Sequence, residues 1–366
     1  MAFLPFFSKK KPVDVEQQVT RKPDGSTTVR TSFNVPETTR PVNGDAVEAL
    51  DGALGKLGTN VVHAMDPRRL ISFDQGGPPV WSVGMVDVAG PTPYTLLVTY
   101  GFSHALSPES FREGVTHEYS LAVPKGLPLS PWADAFLRHQ TRYILTQGAD
   151  IRVNDCIPLR GVPMTRVPFQ PEHHAMMPDS ELIGVLCAED PVLPTVQTPH
   201  GAIVIRRLLG IDGLELDRAE TWSPAGLIEA FKTVNPLLLS DIGRTSFMKN
   251  PAFAAAVNAC AADEGSSMDA ALFDVAWSLD DTGHVRVELP VGQAAKRLLD
   301  GIRGRVGFGR RLAAISMRSP PILFEPSAQG VQPTRQGLVL GGDLSTGAAV
   351  GLVMALRGGE RAVVLV

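Results

Sequence analysis

Between Val80 and Val123 the chain runs in short segments of β-branched and aromatic residues, WSVGMVDV and YTLLVTY among them, broken by Gly and Pro. Such runs suit a pleated surface and are shorter than ordinary helices, so they predict strands. The pattern then changes. Ser130-Pro131 is a helix start, and Trp132, Phe136, Leu137, Tyr143 and Ile144 supply the buried face of a helix reaching Gly148. A loop carrying Asp155 follows, with further strands expected over 182–187 and 202–209. Ser223-Pro224 repeats the helix signature and directs Leu227, Ile228, Phe231 and Val234 to a core. The fold class is α+β, with mixed β-sheets flanked by helices.

A chain of 366 residues with 44% hydrophobic content is long for one domain, so two are expected. Residues 8–45 are polar, with almost no large apolar side chain beyond Phe33, which predicts a flexible extension over residues 1–45. A helix follows, with Val47, Leu50, Leu54 and Leu57 on one face and Asp45 near its start. The first domain is expected over 46–260, a small polar linker over 261–267, and a smaller α+β domain over 268–366. In that second half HVRVELP reads as a strand and residues 291–301 as a helix. Strands are then expected near 311–317, 322–324 and 338–340, and the apolar end, GAAVGLVMAL and RAVVLV, predicts a buried terminal strand.

Thirty-four basic and 38 acidic residues give a net charge of -4, which argues against nucleic acid as the main partner. Three cysteines, Cys156, Cys187 and Cys260, with no CxxC pair, indicate neither a disulfide framework nor a zinc knuckle and fit a reducing cytoplasm. The opening MAFLPFFSKKK places apolar residues before lysines, the reverse of a secretory signal. No run reaches the length of a membrane span.

Candidate chemistries fare poorly. His173-His174 with Glu172, and His117-Glu118, lack metal-ligand spacing, so no metal and no cofactor are expected. Ser246, Ser266 and Ser267 lie in no nucleophile motif. The glycine-rich stretches over 304–309 and 341–347 fit neither phosphate-binding pattern and read as turns.

One block does carry a signal. Glu189-Asp190-Pro191, Val196-Gln197-Thr198-Pro199, Leu209-Gly210, Glu215-Leu216, Trp222, Ser240-Asp241-Ile242 and Arg244 follow one another in an order that resembles the Suppressor of Fused family. Tyr100-Gly101-Phe102-Ser103 and Arg142-Tyr143 upstream, with Ala276-Trp277 and the basic segment 303–311 downstream, extend the resemblance to about 65–330. It implies a two-domain, non-enzymatic protein that binds and sequesters another protein in an interdomain cleft. The positions matching the family's binding residues are Tyr143, Asp155 and Glu189, and Arg303 and Arg305 are further candidates for contact with an acidic peptide. The eukaryotic second domain is longer, and the chain is similar to bacterial members, some of which are thought to act as immunity proteins against secreted toxins. A competing expectation is a hydrolase with a carboxylate/His site around Asp155, Glu189 and His117.

Overall fold

A computed structural model describes residues 14–21, 27–34, 38–39, 42–63, 71–72, 82–106, 115–129, 131–147, 150–281, 283–342, 345 and 363–365. The opening apolar-lysine segment and GAAVGLVMAL lie outside the described residues. The chain divides into two compact units, Met1–Ile211 with Asn235–Arg244, and Asp212–Val234 with Thr245–Val366.

Within the expected extension, β1 (Asp14–Arg21) and β2 (Thr27–Asn34) pair antiparallel as a two-stranded sheet of their own. Thr and Val are strand formers, which allows a hairpin in a segment with no core of its own to offer. Next come β3 (Thr38–Thr39), α1 (Gly44–Gly55), β4 (Thr59–His63), β5 (Ile71–Ser72), β6 (Val83–Val88), β7 (Tyr94–Thr99) and β8 (His117–Pro124). The first unit continues through α2 (Trp132–Gln147), β9 (Cys156–Pro158), β10 (Gly184–Glu189), β11 (Thr195–Thr198) and β12 (Gly201–Ile211).

Eight strands form the main sheet in the order β4-β6-β7-β8-β12-β10-β9, with β11 added to β12. Only the β8–β12 contact is parallel, and it sets Tyr119 against Arg206 and Ser120 against Arg207. All six residues of β7 are buried, because the sheet is covered on both faces. Leu97 joins Trp132, Phe136 and Leu137 of α2, while Leu96 and Val98 join Leu50 and Leu54 of α1. Each such side chain contributes about 1.5–3 kcal/mol by leaving water. Tyr143, expected in this core, is instead 45% exposed, although the adjacent Ile144 is fully buried.

The second unit contains α3 (Gly213–Thr221), α4 (Pro224–Val234), α5 (Pro251–Glu264), β13 (Ala270–Leu272), β14 (Ala276–Leu279), β15 (Val285–Glu288) and α6 (Gly292–Arg305). It ends with β16 (Leu312–Ile315), β17 (Ile322–Glu325), β18 (Val331–Thr334), β19 (Gly337–Gly341) and β20 (Val363–Leu365). A five-stranded sheet runs β13-β16-β17-β19-β18 and a three-stranded one β14-β15-β20, the apolar C-terminal strand pairing with β15. The face of α6 packs through Leu298, Leu299 and Ile302 on Phe324, Leu338 and Leu340.

The expected domain boundaries need correction. The segment 261–264 is the last turn of α5 rather than linker, and α3 and α4 group with the second unit. The reason is local packing. The Phe231 ring of α4 lies 5.8 Å from Phe253 of α5 and 5.5 Å from Phe247, and Trp222 Nε1 donates to Glu264 Oε2 at 3.0 Å. Trp222 and Phe231 are therefore core of the second unit, not of the first. Val234, expected to face the core at the end of α4, is 44% exposed.

Candidate functional site

Two consecutive arginines in the apolar strand β12 organise the first unit. Arg207 is fully buried and pairs with the equally buried Asp190 at 2.7 Å. Its Nε also donates to Ser120 Oγ at 2.9 Å and its Nη1 to Leu237 O at 2.9 Å. The second Asp190 oxygen accepts from Val192 N and Leu193 N, and Ser120 Oγ donates to the first at 2.5 Å. Burial works against ionisation of Asp190, but Arg207 and these donors hold its pKa below the usual range. Every polar atom in the set is answered, which makes a buried ion pair tolerable.

Arg206 emerges on the other face of β12, the side of α2. Its Nη1 donates to Ile151 O at 2.6 Å and to both Asp150 oxygens at 3.2 Å. His117 Nε2 lies 3.2 Å from Asp150 Oδ1 and 3.0 Å from Tyr119 OH, and that hydroxyl donates to Asp150 Oδ1 at 3.0 Å. Burial raises the Asp150 pKa, yet the charges of His117 and Arg206 outweigh it and leave the carboxyl below its usual range.

This cluster pins the chain just before β9, the terminal strand of the sheet. There Asn154 N donates to Cys187 O at 2.8 Å and Cys187 N to Asp155 O at 2.9 Å, so two residues oppose one. That is a β-bulge, and its first residue has the left-handed conformation typical of one bulge class, with Asn154 at φ 73°. Asn tolerates that region better than other non-glycine residues. Asp155 closes the turn, its N donating to Arg152 O at 3.0 Å while its Oδ2 accepts from Arg152 N at 2.7 Å. Cys187 is buried and its thiol is pushed up to about 12, chiefly by burial, with Asp155 and Asp150 adding and Arg206 opposing. Two residues further along β10, on the same face as Cys187, stands the exposed Glu189, in register with Arg206.

The Suppressor of Fused family model matches residues 76–245, which span the strands from β6 to β12 and the whole of this site. The chain carries a Suppressor of Fused domain. Human Suppressor of fused homolog is 30% identical over 105 residues, and the mouse protein 29%. Each match covers 27% of this chain and 22% of the relative, about a fifth of its length. The crystal structure of Drosophila Suppressor of Fused is similar over 88% of this chain and 92% of that one, with a TM-score of 0.64 at 16% identity. The likeness of fold thus reaches beyond the segment matched by the family model.

Within the Suppressor of Fused domain, Asp155 lies across from Cys187 at the terminal strand and Glu189 stands two residues further along β10, while Tyr143 sits half-exposed on α2. The expected carboxylate/His site is divided. His117, 3% exposed, turns to Asp150 and Tyr119, whereas Asp155 is held by the Arg152 backbone. Arg303 and Arg305 belong to the second unit at the end of α6. Arg305 is engaged with backbone, donating from Nη1 to Ser266 O and from Nε to Arg311 O, both at 3.0 Å. His173 and His174 lie in a short 3₁₀ helix over Pro171–Met176. Among the described residues no group of three or more His, Cys, Asp or Glu is arranged to hold a metal, and no helix is long and apolar enough to cross a membrane.

Asp150, Arg206 and Arg207 were missed in the sequence. Arg206-Arg207 inside IVIRRLLGI was the available signal, since a charge in an apolar strand requires a partner.

Proposed function

We infer that the chain is a non-enzymatic protein-binding module that sequesters its partner. An extended segment of that partner adds beside β9, and Asp155 and Glu189 select a basic or histidine side chain. The observation that carries the reading is the bulge at Asn154-Asp155, which fixes a carboxylate at the terminal strand next to the exposed Glu189. Strand addition draws affinity from main-chain hydrogen bonds and specificity from side chains along the edge. Asp150 is already engaged by Arg206 and His117, so it shapes the site rather than meeting the partner. Tyr143 joins the partner-facing set through its exposure. The narrower form of the reading is immunity against a secreted toxin within the cytoplasm, and its support is the sequence resemblance to bacterial members.

Panning a displayed library of extended peptides on the purified chain tests this. Enriched peptides should carry a basic or histidine residue and shift NMR signals of residues 150–158 and 184–189. Peptides that bind elsewhere, or that bind an Asp155→Arg protein equally well, would sink the assignment.

A further inference from the structure

In the second unit α3, α5 and α6 line a groove of about 420 Å³. Asp217 and Arg218 enter it from α3, and Lys296, Asp300 and Arg303 from α6. The last three share one side of that helix because they are four and three residues apart. Ala261 and Ala262 of α5, with no more than a methyl group, leave the space open. Its floor is set by backbone. Ser266 N donates to Gly304 O at 2.6 Å, and Gly265 has φ 68°, where a Cβ would stand 2.5 Å from that same carbonyl oxygen.

None of the five charged side chains makes a hydrogen bond or ion pair to another described residue. Next to them Arg297 and Glu220 do pair, at 2.6 Å, so this unit closes ion pairs where the geometry suits. The Arg218 Nε is in addition buried without a partner. Burial raises the Asp300 pKa and Asp217 reinforces it, while the charges of Lys296, Arg303 and Arg218 oppose it, so all three cations share the field of this groove without closing an ion pair on the carboxylate. Nor are they needed to cap the helices that end here. Arg218 O accepts from Trp222 N at 2.9 Å and Ala261 O from Gly265 N at 3.1 Å, and Ile302 O accepts from Val306 N.

We propose that this groove binds a small phosphate monoester, its dianion held among Arg218, Lys296 and Arg303 and its hydroxyl groups donating to Asp217 and Asp300. Guanidinium forks match phosphate oxygens, the three cations outnumber the two carboxylates of the groove, and the volume falls in the range of small-molecule sites. Asp217 and Arg218 fall within the matched segment 76–245, but the groove shares no residue with Tyr143, Asp155 or Glu189, and the proposal is independent of the partner-binding reading.

The test is a titration of the full chain with ribose 5-phosphate, inorganic phosphate and ribose, followed by NMR. Saturable shifts confined to residues 217–221, 258–266 and 296–304 are expected with ribose 5-phosphate, and none with ribose. Arg218→Gln and Arg303→Gln should each weaken binding by roughly tenfold or more. A melting curve for each variant establishes that it is folded, and Arg303, near the end of α6, serves if Arg218→Gln fails that check. No saturable shift with either phosphate, or equal affinity in a folded variant, overturns the proposal.

Discussion

Arg207 and Asp190 form an ion pair at 2.7 Å with neither side chain exposed to water, joining β12 to the chain that leaves β10. The same guanidinium holds the carbonyl oxygens of Leu237 and Leu238, the latter a non-glycine residue at φ 49°. One buried cation thus anchors three strands and a conformationally unfavourable loop.

Removing one partner of that pair leaves a buried charge without compensation. Asp190→Ala is expected to destabilise the first unit by about 3–5 kcal/mol, measured by urea unfolding. The double variant Arg207→Met with Asp190→Leu should recover much of that loss, because two apolar side chains need no partner. An additive double variant would show that the pair's value lies in the loop carbonyls.

Glu118 gives a pH signature. It is fully buried and accepts from Thr99 Oγ1 at 2.6 Å, Ser103 N at 2.7 Å and Gly101 N at 3.0 Å. Burial nevertheless dominates these donors and raises its pKa from 4.5 to about 8. The folded chain therefore keeps this proton where the unfolded chain has lost it. Stability from this group is full below pH 4.5 and falls as pH rises towards 8, by up to about 1.4 kcal/mol per pH unit. Glu118→Gln keeps an oxygen for the two backbone donors and should flatten the slope between pH 5 and 8. An unchanged slope would place the proton elsewhere.

At the bulge, Asn154→Gly should be nearly neutral, whereas Asn154→Ala should cost about 1 kcal/mol, because a Cβ strains the left-handed conformation and alanine cannot bond locally. If Asn154→Ala also weakens peptide binding while thermal stability is restored by cooling, the bulge positions Asp155. Equal effects of Gly and Ala would mean that the positive φ is immaterial.

For partner binding, Asp155→Arg should lower affinity by several kcal/mol through like-charge contact, read by calorimetry against an enriched peptide. Folding should lose only about 1 kcal/mol, the value of the Arg152 hydrogen bond. Tyr143→Ala is now a cleaner test than a buried ring would allow, since the residue is 45% exposed and its loss should cost less than the 3 kcal/mol or more typical of a core aromatic. Intact affinity in both folded variants would move the interaction away from this edge.

Local chemistry was sufficient for the elements. The β-branched runs became β6, β7 and β8, and the two Ser-Pro signatures stand at α2 and α4. Even α3, overlooked, was legible: Asp212 and Glu215 form a reciprocal capping box, three residues apart. The ordered tripeptides pointed to the Suppressor of Fused family, because chain order survives when single positions drift.

The sequence could not say what those elements would pack against. Tyr143 has a helical phase within about 20° of Trp132, eleven residues earlier, so periodicity gives both the same side. One is buried and the other is not, because the extent of cover belongs to the sheet rather than the helix. The parallel pairing of β12 with β8 likewise decided which arginine is buried with Asp190 and which reaches Asp150. Strand register moves every side chain to one face or the other, and it is set by contacts between residues far apart in the chain.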